Sequence, residues 1–493
     1  MSYCVQMSRP GAPRLLVLGV VMLIGRSAAA EPVSTAIPPD GRVMVPTPDS
    51  AFVTAPHAPI SSTLFLNRCA GGCSIVGGSV NDARSNMSTI PNPGRTYTVG
   101  EFRADGQVGA AADTEWNAVV QCIRDVYSPY QVTVTDTRPS AGAYHMAIVA
   151  GLPEEVGWPA ATQGVAPGSC NPQDNVISFS FANAHPGTGT DRVLNLCWTV
   201  AQESAHSFGL PDHAWEFADG RSACNDPMTY RTDCGGQKFF RNADASCGDF
   251  APGSCRCGST QNSHRELIDV FGPGTPSTGA PTSVITLPLP DTQLGAVVGV
   301  QAGSRRGIAK VQLRVNGFKW AEVKGTPFGA NGQANPGTYA ITVPSNLPDG
   351  IVDLVARACD DLGACTDSAV VTATKGVPCT SADTCAERQH CEAGKCLWDP
   401  AAGELGDSCS FDQTCLSEMC SPTVENRICT QTCSTDMACP SGFDCLKTTA
   451  GDFCYLPDGG GCCSAGDRAH HGYLQGGLSA LVLALVVRRR RRR

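Results

Sequence analysis

The stretch TVAQESAHSFGLPDH, Thr199 to His213, decides how the first half of this chain is interpreted. It overlaps the run DRVLNLCWTVAQESAHSF, in which apolar residues recur at helical spacing. Those residues are Val193, Leu196, Cys197 and Val200. Asp191 near the start favours a helix N-terminus, and Gly209 permits a sharp exit from the helix at the other end. The sequence therefore predicts a helix that ends just before Gly209.

Side chains four residues apart share one face of a helix, so Gln202 and His206 would point the same way, with Glu203 alongside. A zinc hydrolase needs three neutral or anionic ligands, an open position for water, and a carboxylate that takes the water's proton. After the turn at Gly209, Asp212 or His213 would swing back toward the helix. Gln202 departs from this ligand pattern, because its amide oxygen binds zinc less strongly than the imidazole of a histidine would.

These residues resemble the metzincin motif His-Glu-x-x-His-x-x-Gly-x-x-His/Asp, with Gln202 in place of the first histidine. The segment DPMTY, residues 226–230, resembles the methionine turn of the same family. The resemblance covers roughly residues 62–272 and implies an α/β catalytic domain, a Zn²⁺ cofactor and a peptide or protein substrate. It further implies that Met228 lies under the metal, Glu203 acts as general base and Tyr230 stabilises the oxyanion.

Three interpretations of the site stay open. In the first, His206 binds metal with Asp212 and His213, while Gln202 contributes its oxygen or orients a water. In the second, another histidine of the domain supplies the missing imidazole; the candidates are His145, His185 and His264. In the third, the enzyme fold is silent, Glu203 and His206 hydrogen-bond to each other, and the protein is a surface adhesion or binding protein.

Both ends of the chain indicate export. Residues 1–30 combine arginines, the apolar run LLVLGVVMLIG and SAAA, which is the pattern of a cleaved secretory signal; an N-terminal membrane anchor is the weaker alternative, because the run is too short to span a bilayer. Residues 31–60 are Pro-rich and predict a linker or a pro-segment.

The segment 458–493 carries GGGCCSAG, then LSALVLALVV, then six arginines. That order resembles the myxobacterial C-terminal sorting tail (MYXO-CTERM). The resemblance implies a processing enzyme at the membrane, with Cys462 or Cys463 as the anchoring residue on the cell surface or outer membrane. A nucleic-acid-binding arginine run is the alternative, which the adjacent apolar segment disfavours.

Charge and cysteine content support an extracellular protein. The formal net charge of −9 already includes three arginines in residues 1–30 and six in residues 488–493, so residues 31–487 are more acidic still and a nucleic-acid partner is not expected. Outside those segments, 24 of the 27 cysteines remain, an even number that predicts disulfides.

The composition divides the body of the chain into three parts. Residues 61–273 hold ten cysteines and alternate helical and strand patterns, which predicts an α/β domain. Residues 279–375 contain five short alternating runs typical of an immunoglobulin-like β-sandwich, in which Cys359 and Cys365 would close a loop. Residues 376–457 carry twelve cysteines in groups of four and eight, which suggests two disulfide-stapled modules, with zinc knuckles as the alternative.

The sequence thus predicts a multidomain, exported protein whose first domain is a zinc-dependent metalloendopeptidase. We expect it to be anchored at the cell surface or outer membrane, or released outside the cell. The non-catalytic binding protein is the second hypothesis.

Overall fold

A computed structural model describes residues 41–47, 60–234, 236–325, 337–421, 427–433, 438–448 and 451–456. The predicted signal peptide, most of the Pro-rich segment and the sorting tail with Cys462 and Cys463 lie outside these ranges. Within them, no helix has the length and apolar character needed to cross a bilayer.

The first domain combines short strands with three α-helices. Its strands are β1 (Arg42–Pro46), β2 (Thr63–Asn67), β3 (Cys73–Gly77), β4 (Met87–Ser88), β5 (Thr96–Val99), β6 (Thr133–Thr135), β7 (His145–Val149), β8 (Gly164–Gly168), β9 (Ile177–Ser180), β10 (Ala214–Phe217) and β11 (Ala245–Cys247). Its helices are α1 (Ala110–Tyr127), α2 (Gly189–Ser207) and α3 (Ser263–Phe271). Helix α2 occurs where the apolar periodicity predicts a helix.

A six-stranded mixed sheet positions the site. The strand order is β1-β8-β9-β7-β2-β6. Strands β9, β7, β2 and β6 run parallel, β8 is antiparallel to β9, and β1 runs parallel to β8. Helix α2 packs along β8 and β9 and is joined to α1 by the disulfide Cys122–Cys197. The edge of the sheet therefore lies directly beneath the helix that carries Gln202 and His206.

The middle of the chain is a β-sandwich, as the alternating runs predict. Its strands are β12 (Thr282–Leu287), β13 (Val297–Gly303), β14 (Lys310–Val315), β15 (Phe318–Lys324), β16 (Gly337–Thr342), β17 (Gly350–Cys359), β18 (Cys365–Asp367) and β19 (Val371–Lys375). One sheet has the order β12-β13-β16, and the other joins β15, β14, β17, β18 and β19. Buried aliphatic side chains of both sheets form one core. The expected Cys359–Cys365 disulfide is present.

The cysteine-rich segment forms three modules where the cysteine grouping suggests two. Its strands are β20 (Gln389–Glu392), β21 (Lys395–Trp398), β22 (Asp444–Thr448) and β23 (Gly451–Tyr455). Each set of four cysteines pairs first with third and second with fourth: Cys379–Cys391 and Cys385–Cys396, Cys409–Cys420 and Cys415–Cys429, Cys433–Cys445 and Cys439–Cys454. The group of eight divides because its disulfides close within each half. All 24 cysteines between the two ends are paired, so a disulfide-rich protein is confirmed.

A buried ion-pair network joins the sandwich to the first domain. Arg306 of the sandwich donates to both carboxylate oxygens of Asp361 at 2.8 Å and to the carbonyl of Phe240 at 2.8 Å. Arg241 of the first domain lies 3.6 Å from the same carboxylate. Burial raises the pKa of Asp361, but the two guanidinium groups outweigh it and hold the value at about 2. The two domains are therefore held together by ionised groups shielded from solvent.

Candidate functional site

Helix α2 ends in a turn that reverses the chain beside the site. The last helical residue is Ser207, and Gly209 adopts a φ of +95°. A Cβ at Gly209 would lie 3.1 Å from the Pro172 nitrogen, so both the backbone conformation and the space favour glycine. The chain then returns through Leu210 to His213.

The His206 imidazole is buried, with 1% of its surface exposed. Its Nδ1 lies 2.7 Å from the Leu210 carbonyl, which can only accept, so the proton is on Nδ1. Burial, with a smaller contribution from His213, holds the pKa of His206 well below its ordinary value. Its Nε2 has no hydrogen-bond partner among the described residues. The arrangement leaves a neutral imidazole with an available Nε2 lone pair.

The His213 imidazole has the same arrangement with a different partner. Its Nδ1 donates to Asp249 Oδ1 at 2.7 Å, and this hydrogen bond is the main cause that lowers the pKa of Asp249. The His213 Nε2 is buried and has no hydrogen-bond partner within the described chain. The His206 and His213 rings lie 5.2 Å apart, centroid to centroid, and nearly perpendicular. Asp249 carries no signal in the sequence, because it is 36 residues away from His213.

Gln202 and Glu203 lie on the same turn of α2, and both are fully buried. Neither Oε1 nor Nε2 of Gln202 has a hydrogen-bond partner among the described residues. An unsatisfied buried amide costs roughly 1–3 kcal/mol. Glu203 packs against strand β8, the neighbour of the edge strand β1: a Cβ at Gly164 of β8 would lie 2.5 Å from Glu203 Oε1. The glycine thus leaves the space that the Glu203 carboxylate occupies.

Asp212 does not join this group. Its carboxylate accepts the backbone N–H of Arg256 at 2.8 Å and that of Cys257 at 3.1 Å. It also lines a cleft of about 270 Å³ together with Glu266 and Asp269, whereas Gln202, His206 and His213 do not line that cleft. Of the two candidates for the ligand after the turn, His213 is therefore the one whose ring lies beside His206.

The segment that contains Met228 is connected to the histidine-bearing segment through its backbone. Met228 is fully buried, and its carbonyl accepts the N–H of Ala214 at 2.5 Å. The Met228 N–H donates to Asp226 Oδ1 at 2.8 Å, and burial raises the pKa of that carboxyl to about 6. The Tyr230 ring lies 3.8 Å from the ring of His213. Met228 and Tyr230 are thus both beside the segment that carries His213.

The three other candidate histidines have contacts elsewhere. His145 Nδ1 lies 3.3 Å from Ser207 Oγ, and burial lowers the pKa of His145 to about 3. His185 Nε2 lies 3.2 Å from the carbonyl of Gln163. His264 Nδ1 lies 3.0 Å from the hydroxyl of Tyr130. None of the ring contacts in the described part of the chain joins any of these three to His206.

Cysteine clusters offer no alternative metal site within the described ranges. Every group of three potential metal ligands found there contains at least two cysteines. Those cysteines are all disulfide-bonded, including Cys247 and Cys255 near Asp212. A thiolate is needed for metal binding, so these sulfurs are not ligands while the disulfides persist.

Comparison with known proteins does not identify a family for this chain. No protein-family model and no curated protein matches the chain. A solved structure described as "Structures of Clostridium thermocellum CbhA fibronectin(III)-like modules" matches 19% of this chain and 94% of its own length, with 18% identity and a TM-score of 0.14.

Proposed function

We propose that the first domain is a zinc-dependent metalloendopeptidase of the metzincin type, exported and anchored at the cell surface. One observation supports this most: two buried imidazoles, His206 and His213, each have Nδ1 hydrogen-bonded to an acceptor and Nε2 without a hydrogen-bond partner among the described residues. Fixing Nδ1–H with a carboxylate or carbonyl is how proteins orient histidines that bind metal through Nε2.

The donor set fits zinc. Nitrogen ligands from His206 and His213 with the amide oxygen of Gln202 would make three protein ligands, which leaves a fourth position for water in a catalytic site. The orphaned amide of Gln202 supports its inclusion, because ligation would satisfy a group that is otherwise buried without a partner. Bound zinc would supply a Lewis acid and lower the pKa of water.

The remaining roles belong to residues of the chain itself. Glu203, one residue after Gln202 on the same helix, would take the proton of the attacking water and later pass it to the leaving amine. Tyr230, whose ring lies against His213, would donate its hydroxyl hydrogen to the oxyanion that develops on the substrate carbonyl. Met228 would hold the turn beneath His213. The substrate is a peptide or protein, and the acidic chain disfavours nucleic acid.

Export and anchoring rest on the chain ends and the disulfides. Twelve disulfides in one chain support an oxidising compartment, which agrees with a signal peptide at residues 1–30 and a processed tail at residues 458–493.

Hydrolysis of casein by the full-length protein tests this proposal. Glu203→Gln should keep bound zinc and abolish cleavage, whereas His206→Ala should lose both. Wild-type protein that carries zinc but cleaves neither casein nor a mixed peptide library would instead favour the non-catalytic binding protein.

A further inference from the structure

Arg241 holds the chain just before Met228. The N–H of Met228 donates to Asp226 Oδ1 at 2.8 Å, and the other oxygen of that carboxylate accepts the N–H of Arg241 at 2.8 Å. The Arg241 side chain also donates, through Nε, to the carbonyl of Asn225 at 3.3 Å. Arg241 therefore contacts two consecutive residues that lead into Met228, one through its backbone and the other through its guanidinium.

The Arg241 guanidinium is fully buried and also contacts the β-sandwich. Its Nη1 donates to the carbonyl of Arg306 and lies 3.6 Å from Asp361 Oδ1. Arg306 lies between β13 and β14, and Asp361 lies between β17 and β18. Because a buried cation is stable only when it is paired, the sandwich carboxylate stabilises Arg241 in the position from which it reaches Asn225.

An apolar contact from the sandwich reaches the same part of the first domain. Ala309, at the start of β14, packs against a small cluster of buried side chains in that domain. Ala214 belongs to this cluster, follows His213 directly, and donates its N–H to the carbonyl of Met228. The polar and the apolar contacts of the sandwich therefore meet the two segments that carry Met228 and His213.

We infer that Arg241 is a positioning residue for the segment that contains Met228, and that the β-sandwich supports the proposed zinc site through it. Loss of Arg241 or of its partner Asp361 loosens residues 225–228, and the backbone bond between Ala214 and Met228 passes this change to His213. The consequence for zinc rests on the proposed function. The support of the Met228 segment by the sandwich requires no metal.

Hydrogen exchange, followed by mass spectrometry on the full-length protein in the presence of a chelator, tests the support itself. Arg241→Met keeps the Arg306–Asp361 pair and places an apolar side chain in the buried position, so the domains should stay folded. Amides of residues 225–229 should exchange at least about ten-fold faster than in wild type. Arg357→Met is the matched control, because Arg357 pairs with Asp367 in an exposed position, and it should leave this exchange unchanged.

Asp361→Asn removes the same contact from the side of the sandwich and should also speed exchange in residues 225–229. If both variants protect this segment as wild type does, the inference is overturned.

Zinc affinity of the same proteins, measured by chelator competition, tests the consequence for the site. Arg241→Met and Asp361→Asn should each bind zinc about ten-fold more weakly than wild type, whereas Arg357→Met should bind it as tightly. Faster exchange with unchanged zinc affinity would overturn the positioning role of Arg241. If wild type bound no zinc, the proposed function would fail, and the exchange rates would still decide whether the sandwich holds the Met228 segment.

Discussion

His213 Nδ1 donates to Asp249 Oδ1 across 2.7 Å, which fixes the ring and leaves its Nε2 without a hydrogen-bond partner in the part of the chain that the structure describes. The partner is a carboxylate that the sequence does not single out. The same relationship between Nδ1 and an acceptor occurs at His206 with the Leu210 carbonyl. Two imidazoles held in this way leave two buried Nε2 atoms without a hydrogen-bond partner among the described residues, and the proposed metal site rests on these two atoms.

Removing the acceptor of His213 should weaken the proposed zinc site. Asp249→Ala leaves the ring free to rotate and change tautomer, and zinc affinity should fall by about 10- to 100-fold, measured by chelator competition. The control is Asp399→Ala, because Asp399 makes a similar 3.0 Å contact with His390 in an exposed position of the cysteine-rich segment. Equal zinc affinity in the two variants would contradict the role assigned to Asp249.

Restoring an imidazole at the first position should strengthen the site. Gln202→His places a nitrogen donor one helical turn before His206, and we expect zinc to bind at least about ten-fold more tightly, because imidazole is the better ligand. Gln202→Leu is the opposite change and should lower zinc affinity. Because it removes a buried unsatisfied amide, it should also raise the free energy of unfolding, measured in the presence of a chelator, by about 1–3 kcal/mol. A Gln202→His protein with unchanged affinity would show that this side chain does not face the metal.

The space beside Glu203 should be sensitive to a single methyl group. Gly164→Ala would place a carbon 2.5 Å from Glu203 Oε1 and 2.6 Å from Thr199 Cγ2, so the carboxylate must move. Bound zinc should be retained while casein hydrolysis falls by about 100-fold, the scale of a misplaced catalytic group. Gly295→Ala has open space around its new methyl group and should leave both unchanged. Full activity in the Gly164→Ala variant would contradict the role of Glu203 as the general base.

The buried network between the first domain and the sandwich should dominate stability. Asp361→Asn removes the buried carboxylate that both Arg306 and Arg241 face, and should cost about 3–5 kcal/mol of unfolding free energy. The exposed pair Arg357–Asp367 provides the control, because Asp367→Asn should cost no more than about 1 kcal/mol. If the two variants lost similar amounts of unfolding free energy in urea, the dominant role of the Asp361 network would be contradicted.

The same carboxylate gives a pH dependence with a defined sign. The folded-state pKa of Asp361 is about 2, below its ordinary value of 3.8, so its contribution is present above pH 3.8 and is lost as the pH falls toward 2. The shift corresponds to about 2 kcal/mol. The difference in unfolding free energy between wild type and Asp361→Asn should therefore shrink by about that amount as the pH is lowered from 5 to 2. A difference that stays constant over this range would contradict the low pKa of Asp361.

Local patterns in the sequence predict several elements correctly. Helix α2 follows from its apolar periodicity, and its end follows from Gly209, whose φ of +95° few other residues adopt. The five alternating runs of the sandwich each contain a strand, because polar and apolar residues alternate where one face is buried. These features depend on residues close together in the chain.

Features that depend on distant residues escape prediction. Strand β1 reads as part of a Pro-rich linker, because nothing in RVMVP reveals that β8 will pair with it. No sequence pattern marks Arg306 as buried, yet it is fully buried against Asp361. The division of eight cysteines into two sets depends on which sulfurs meet in space, and cysteine spacing alone does not determine pairing.

The zinc content of the purified full-length protein, measured by mass spectrometry of the metal, tests the central claim most directly. The account predicts close to one zinc per chain in wild type, and loss of that zinc in both His206→Ala and His213→Ala, with His145→Ala retaining it. Absent zinc, or zinc that persists when His206 and His213 are replaced, would contradict the account and leave a binding protein without a catalytic metal.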